Sequence, residues 1–375
     1  MTTCFLIRLV VLLLAVARQS YMLCVLPWIS IQIGLSFKWM LKNAFNSVSQ
    51  GAIFQELRAA HGPLAQLIPF VRSFYSMDAP LYFSHASRSG DVLVIPSADG
   101  IRQGDPLGGV LFSLVHFRAL RAFSAAFPSC LFPSIADYTH IVGPANDVFP
   151  AFLHFSQQLS ALGLIENPSK CVAWCPQGLL PGLPLPTGFN TPADGIRALG
   201  IPIGFSDFVA SSLRDTLGVH LRHADLLPKL GNAQVALGIL TQCFTQRPSY
   251  ILRCVPPSPD VLALLQDFDN ALSDILRRLM GSESFRIPHG QFVKRQVSLP
   301  ASSGGVGLTC TTSIAPAAFM GSWALVASAL ISRFQQDNKP ILLDSVAHVE
   351  TCILPFQQHL RAAKDLIPPS FFASL

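Results

Sequence analysis

Proline interrupts this chain at 29 of its 375 positions. Each proline fixes φ, lacks a backbone N–H and breaks or kinks any helix whose interior it enters. An uninterrupted coiled coil or a simple helical bundle is thereby excluded. What remains is a fold of shorter elements around abundant apolar material. Half of the residues are hydrophobic and only 13% are charged, against about 25% in ordinary globular domains. The mean hydropathy of +0.45 excludes a disordered chain, which would be polar and charge-rich. The length suits two or three domains of about 150 residues each.

The net charge of +5 is not a basic face. Glu56 is the first acidic residue, and residues 1–55 hold only Arg8, Arg18, Lys38 and Lys42 of the 26 basic groups. The other 22 basic groups meet 21 acidic ones, a near balance. The excess is a deficit of acid at one end, not a phosphate-binding surface spread along the chain. Nine cysteines, an odd number at irregular spacing, form no disulfide framework or zinc ribbon. Cys171 with Cys175, and His220 with His223, each lack a second pair at metal-ligand spacing.

Residues 1–38 read as an apolar leader. Cys4 to Ala17 is apolar except for Arg8 and ends in Ala15-Val16-Ala17, similar to a secretory signal and its cleavage site. A second apolar stretch runs from Tyr21 to Phe37, but neither reaches 18 clean residues. Two readings stay open. Residues 4–37 act as a membrane or secretory signal, or they are a remnant and the protein is intracellular.

Beyond the leader, apolar spacing predicts helix over 43–76 with a break at Gly62-Pro63, and a strand at 91–95. A loop over 100–106 precedes a long helix from Leu107 to Phe127. A hairpin spans 131–142 with its turn at Ala136-Asp137-Tyr138-Thr139, and a helix runs over 149–162. Strands follow at 171–174 and 196–203. After 206 the pattern is helical, at 208–218, 223–246, 258–280 and 314–336. The fold class is therefore α+β: a mixed domain over 39–205, then a mainly helical region over 206–375.

The most specific string is Gly100-Ile101-Arg102-Gln103-Gly104-Asp105-Pro106-Leu107-Gly108. It resembles the G-[IV]-R-Q-G-D-P-L-S signature of reverse transcriptases from non-LTR retrotransposons and group II introns. Its neighbours fall in the same order as that family's motifs. Leu41 to Asn46 is similar to the D-x-K-x-A-F motif, and Ile135-Ala136-Asp137-Tyr138-Thr139 to the Y/F-A-D-D-T hairpin. Gly163-Leu164 with Asn167, Ser169 and Lys170 resembles G-L-x-x-N-x-x-K. Leu199-Gly200-Ile201 resembles the family's primer-contacting hairpin. Gly304 to Leu308 resembles the G-G-x-G-L segment found after the polymerase domain.

The resemblance implies a right-hand palm-like sheet followed by a helical thumb-like region, RNA or DNA partners, and Mg²⁺. In that chemistry two ions about 3.5–4 Å apart activate a primer hydroxyl and stabilise the leaving oxygen. The ions are hard and need carboxylate oxygens. The resemblance assigns Asp137 to the metal and catalysis, and Lys170 to proton donation toward pyrophosphate. It assigns Phe45, Arg102, Gln103, Gly104, Asp105 and Pro106 to nucleotide and template, and Leu199 and Gly200 to the primer.

The sequence departs from the family at the metal. Met40 stands five residues before Phe45, where the family's first Asp would be, and Tyr138 stands where it has the second hairpin acid. A thioether is a soft, neutral donor, and a phenol of pKa about 10 is neutral at pH 7. Only Asp137 of three carboxylates is kept. The segment ahead of Met40 is short and apolar, where the family carries a basic fingers region. The expectation is a degenerate reverse-transcriptase domain, inactive as an RNA-directed DNA polymerase and binding Mg²⁺ weakly or not at all. The alternative is a non-catalytic module that binds nucleic acid or protein.

Overall fold

The computed structural model describes residues 34–334, apart from 61, 85–91, 103, 131, 180–181, 183–184 and 282–289, together with Asp365. Helices and small antiparallel sheets are mixed along the chain. It divides into two compact units between Ala193 and Asp194. The boundary expected at 205/206 lies beyond this division, on the far side of one β-hairpin.

The first unit is built on a four-stranded sheet in the order β4, β5, β1, β6. These strands are β1 (Gly34–Met40), β4 (Ser134–Ile135), β5 (Tyr138–Pro144) and β6 (Val172–Trp174). The stretch read as the end of an apolar leader thus contains an inner strand. Side chains alternate across a strand. Phe37 and Trp39 therefore share one face and are fully buried.

That face packs on helices. The first unit contains α1 (Gln50–Ala59), α2 (Ile68–Tyr75), α3 (Gly108–Ala126) and α4 (Ala145–Ser160). From α4, Phe152 stacks on Phe37 with ring centroids 5.5 Å apart, and Phe155 meets Trp39 edge-on at 5.2 Å. Phe123 of α3 stacks on Phe155 at 4.8 Å. Such aromatic contacts add about 0.5–1.5 kcal/mol each to the area they bury. A short helical turn, Gly62–Ala65, lies between α1 and α2, so the helix is interrupted close to where the sequence predicts a break. A separate hairpin pairs β2 (Ala79–Ser84) with β3 (Val92–Ser97) and exposes Leu81, Tyr82, Phe83, Leu93 and Val94.

The second unit opens with the hairpin β7 (Gly195–Ala198) and β8 (Ile201–Gly204). Its two turn residues, Leu199 and Gly200, have φ of 50° and 88°, the left-handed pair that matches strand twist in tight hairpins. The helices α5 (Ser206–Ala224), α6 (Ala233–Ile239), α7 (Pro259–Met280), α8 (Gly290–Ser298) and α9 (Thr311–Phe334) follow. The single helix expected over 223–246 is broken. A 3₁₀ turn spans Leu227–Lys229 around Pro228, and α6 runs into a π turn at Leu240–Phe244. Proline cannot donate the bond that would continue the helix.

Helix α7 organises this unit. The Ser258 hydroxyl accepts from the Val261 N–H, Pro259 occupies the first turn, and Arg277 and Arg278 lie in the last. Each choice suits its end of the helix dipole or its orphan backbone groups. Val261, Leu265, Phe268, Leu272, Ile275 and Leu276 form its buried stripe.

Candidate functional site

The resemblance motifs from residues 40 to 170 come together in the first unit, mainly through backbone hydrogen bonds. Met40 ends β1 directly opposite Tyr138, the first residue of β5. The intervening β4–β5 turn holds Ala136, at φ 50°, and Asp137. Asp137 and Met40 are half-buried and Tyr138 is buried. The three positions that would carry metal ligands in the family thus lie at one end of the sheet.

The G-L-x-x-N stretch docks against the end of β1. The Asn167 N–H donates to the Met40 carbonyl at 2.9 Å, and the Lys42 N–H to the Ile165 carbonyl at 2.8 Å. Gly163 is required here because a Cβ would lie 2.7 Å from the Ser47 carbonyl oxygen. Lys170, on the 3₁₀ turn Pro168–Lys170, is exposed.

The Gly100–Asp105 loop docks on the helical turn Ala44–Ser47. The Gly100 N–H donates to the Val48 carbonyl at 3.1 Å and the Ile101 N–H to the Phe45 carbonyl at 2.6 Å. The Gln50 side-chain amide donates to the Gly100 carbonyl at 3.3 Å. Phe45 is half-buried, its ring stacked on Phe112 with centroids 4.6 Å apart.

Arg102 and Asp105 are engaged within the protein. Asp105 accepts from the Tyr75 hydroxyl, and from the Leu107 N–H at 2.8 Å at the start of α3. The Arg102 guanidinium donates to the Phe74 carbonyl at 2.5 Å and lies 5.5 Å from the Tyr75 ring centre. Burial, then the hydrogen bond to Asp105, pushes the Tyr75 phenol up to about 12. Gly104 and Pro106 are exposed, and Gln103 lies outside the described residues. Leu199 and Gly200 belong to the second unit, where the Leu199 carbonyl accepts from the Tyr250 hydroxyl at 2.9 Å.

Sequence reasoning missed three neighbours of the sheet end. Lys38 is opposite His140, one alternation before Met40. Its ammonium lies 5.1 Å from the Tyr138 ring centre, and Tyr138 and His140 have ring centroids 5.2 Å apart. Burial lowers the Lys38 pKa, with Cys171 opposing the shift. Burial raises the Cys171 thiol. The available signal was the alternation Ser36, Phe37, Lys38, Trp39, which reads as a strand with one polar face.

Two buried histidines set a pH response for this unit. Burial lowers His116 to about 4, and burial aided by Lys38 lowers His140 to about 3. Both are below the unfolded value of about 6.5. Their stabilising contribution is complete above that value and is lost as pH falls toward the folded values. The expected slope is about 1.4 kcal/mol per pH unit for each ring. Urea unfolding at pH 7 and pH 5 is expected to give a lower midpoint at pH 5. Equal midpoints would contradict the burial of both rings.

No described helix is long and apolar enough to cross a membrane. Of the membrane or secretory reading of residues 4–37, residues 4–33 lie outside the described residues.

No protein-family model matches the chain. It is 21% identical over 290 residues to the retrotransposable element SLACS 132 kDa protein of Trypanosoma brucei gambiense, covering 71% of this chain and 22% of that one. Among solved structures, telomerase from Candida albicans bound to a telomeric RNA fragment gives a TM-score of 0.36 at 10% identity, covering 88% and 56% of the two chains. Apo telomerase from Candida tropicalis gives 0.36 at 11% identity, covering 84% and 55%. The chain, which spans about a fifth of the length of its curated relative, is a distant sequence relative of a retrotransposable-element protein.

Proposed function

We propose that the chain carries a reverse-transcriptase-type domain, with a palm-like sheet and a helical thumb-like region, that is inactive as an RNA-directed DNA polymerase. The carrying observation is the register that sets Met40 opposite Tyr138 with Asp137 in the turn between the strands. That is the layout expected of the family's three metal ligands, with two replaced. Distant similarity to a retrotransposable-element protein supports the same reading. RNA or DNA is the partner class that follows.

The residues present do not fit a pair of Mg²⁺ ions. The donors are one carboxylate, one thioether and one phenol, and hard cations require oxygen ligands, chiefly carboxylates. Among the described residues no group of three His, Cys, Asp or Glu side chains is placed to hold a metal. The Lys38 ammonium over Tyr138 adds positive charge to the same face. Asp137 alone offers a weak site for one hydrated ion.

Primer extension on an RNA template with Mg²⁺ tests this. The native chain is expected to give no product, and neither is Met40→Asp or Tyr138→Asp alone. Extension, if it can be regained, requires the double variant, because both missing ligands are needed. Robust synthesis by the native chain would overturn the reading.

A further inference from the structure

A cavity of about 240 Å³ opens in the second unit between α7, α8 and the start of α9. Lys294 and Arg295 of α8 line it, with Asn270 and Asp269 of α7 and Ser313 of α9. The basic residues of this unit differ in how far their charges are already matched. Arg277 pairs with Asp274 at 3.3 Å and Arg278 with Asp225 at 2.5 Å. Lys294 and Arg295 have no ion pair among the described residues.

The carboxylate in the cavity wall is occupied. Asp269 accepts from the Thr311 N–H at 2.9 Å and hydroxyl at 2.8 Å, and from the Thr312 N–H at 2.9 Å and hydroxyl at 2.7 Å. These four donors, with the Cys310 thiol at 3.3 Å as a fifth, use up the acceptor positions of the carboxylate. Lys294 and Arg295, both exposed, line the cavity and take part in no ion pair with Asp269 or any other described carboxylate. The Asn270 oxygen accepts from the Gln266 side chain at 3.3 Å, which leaves the Asn270 amide nitrogen as a further donor.

We propose that this cavity is a phosphate site, with Lys294 and Arg295 as its cationic contacts and the Asn270 amide as a neutral one. Arginine suits a tetrahedral oxyanion because its fork donates two parallel bonds, and lysine adds a point charge. The volume is below the roughly 300–1,000 Å³ of pockets that enclose drug-sized ligands. It suits one phosphate group, free or carried by a longer chain, and not a whole nucleotide. The site lies within the second unit and does not depend on the metal-site reading.

The test uses the full-length chain with inorganic phosphate in calorimetric titrations and with a fluorescein-labelled single-stranded RNA in anisotropy titrations at several salt concentrations. The variants are Lys294→Ala/Arg295→Ala and, as a control outside the cavity, Arg277→Ala/Arg278→Ala. All four side chains are exposed, and equal thermal melting checks that each variant folds. The cavity variant is expected to weaken phosphate binding tenfold or more, and the control to leave it unchanged. If the phosphate is that of a nucleic-acid strand, the slope of log affinity against log salt also falls by about 1.4, two contacts at about 0.7 each. Phosphate binding that is lost while RNA binding is unaffected identifies free phosphate as the source. The proposal is overturned if neither probe binds the native chain, if both ignore the cavity variant, or if the control loses as much.

Discussion

Asp269→Ala is expected to lower the unfolding free energy of the second unit by about 3–4 kcal/mol. Asp269 is nearly buried on α7 and holds the first turn of α9 from 42 positions away. A helix begins with backbone N–H groups that have no partner inside the helix. Asp269 satisfies those of Thr311 and Thr312 with a full negative charge at the positive end of the helix dipole. Each donor left unsatisfied in a buried place costs about 1–3 kcal/mol. Alanine removes the acceptor for two backbone donors, two hydroxyls and the Cys310 thiol together. Urea unfolding followed by far-UV circular dichroism measures the loss. Asp269→Asn keeps the shape and one acceptor oxygen, so about half the loss is expected. A wild-type midpoint in the alanine variant would show that the capping is dispensable.

Gly100→Ala is expected to cost about 3 kcal/mol or more and to loosen the loop that carries Arg102 and Asp105. Two costs combine. Gly100 has a φ of 75°, which costs an L-residue about 1–2 kcal/mol. A Cβ would also lie 2.3 Å from the Asn46 carbonyl carbon and oxygen, so the main chains must separate. The bonds from Gly100 to Val48 and from Ile101 to Phe45 lengthen or break as they do. Hydrogen exchange of the Gly100 and Ile101 amides reads this directly, with faster exchange expected than in the native chain. Gly104→Ala is the comparison. Its φ of 91° carries a similar backbone cost, but a Cβ there meets nothing within 4 Å. Equal destabilisation by the two substitutions would remove the close approach as the cause.

These two residues mark where local sequence stops being informative. The interruption near Gly62-Pro63, the long apolar helix α3 and a hairpin turn within residues 136–139 are written in periodicity or turn chemistry within a few residues, although Tyr138 and Thr139 already belong to β5. Asp269 and Thr311, or Tyr75 and Asp105, are not. Each pair is joined across 30 or more positions, and no period or turn residue announces a partner that far away. Strand β1 was hidden for another reason. It follows an apolar run, so Phe37 reads as more of the same, although Ser36 and Lys38 break the run on alternate positions. Of the candidate site, the motif order grouped the strings around Met40, Phe45, Gly100, Asp137 and Asn167, which the first unit brings near one another, but also Leu199 and Gly200, which lie in the second unit. It did not indicate that Arg102 and Asp105 would be held by Phe74 and Tyr75, or that Lys38 and His140 would flank Tyr138.

The strings around Met40 are tied to one another largely by backbone groups: Asn167 N–H to the Met40 carbonyl, Lys42 N–H to the Ile165 carbonyl, Ile101 N–H to the Phe45 carbonyl. Every amino acid except proline carries those groups. These ties therefore do not depend on which side chain occupies position 40. Position 138 differs, because the Tyr138 ring is buried beside His140 with the Lys38 ammonium over it, and a carboxylate there would lose those contacts. In such a scaffold the main chain fixes where position 40 sits, and the side chain there sets only its chemistry.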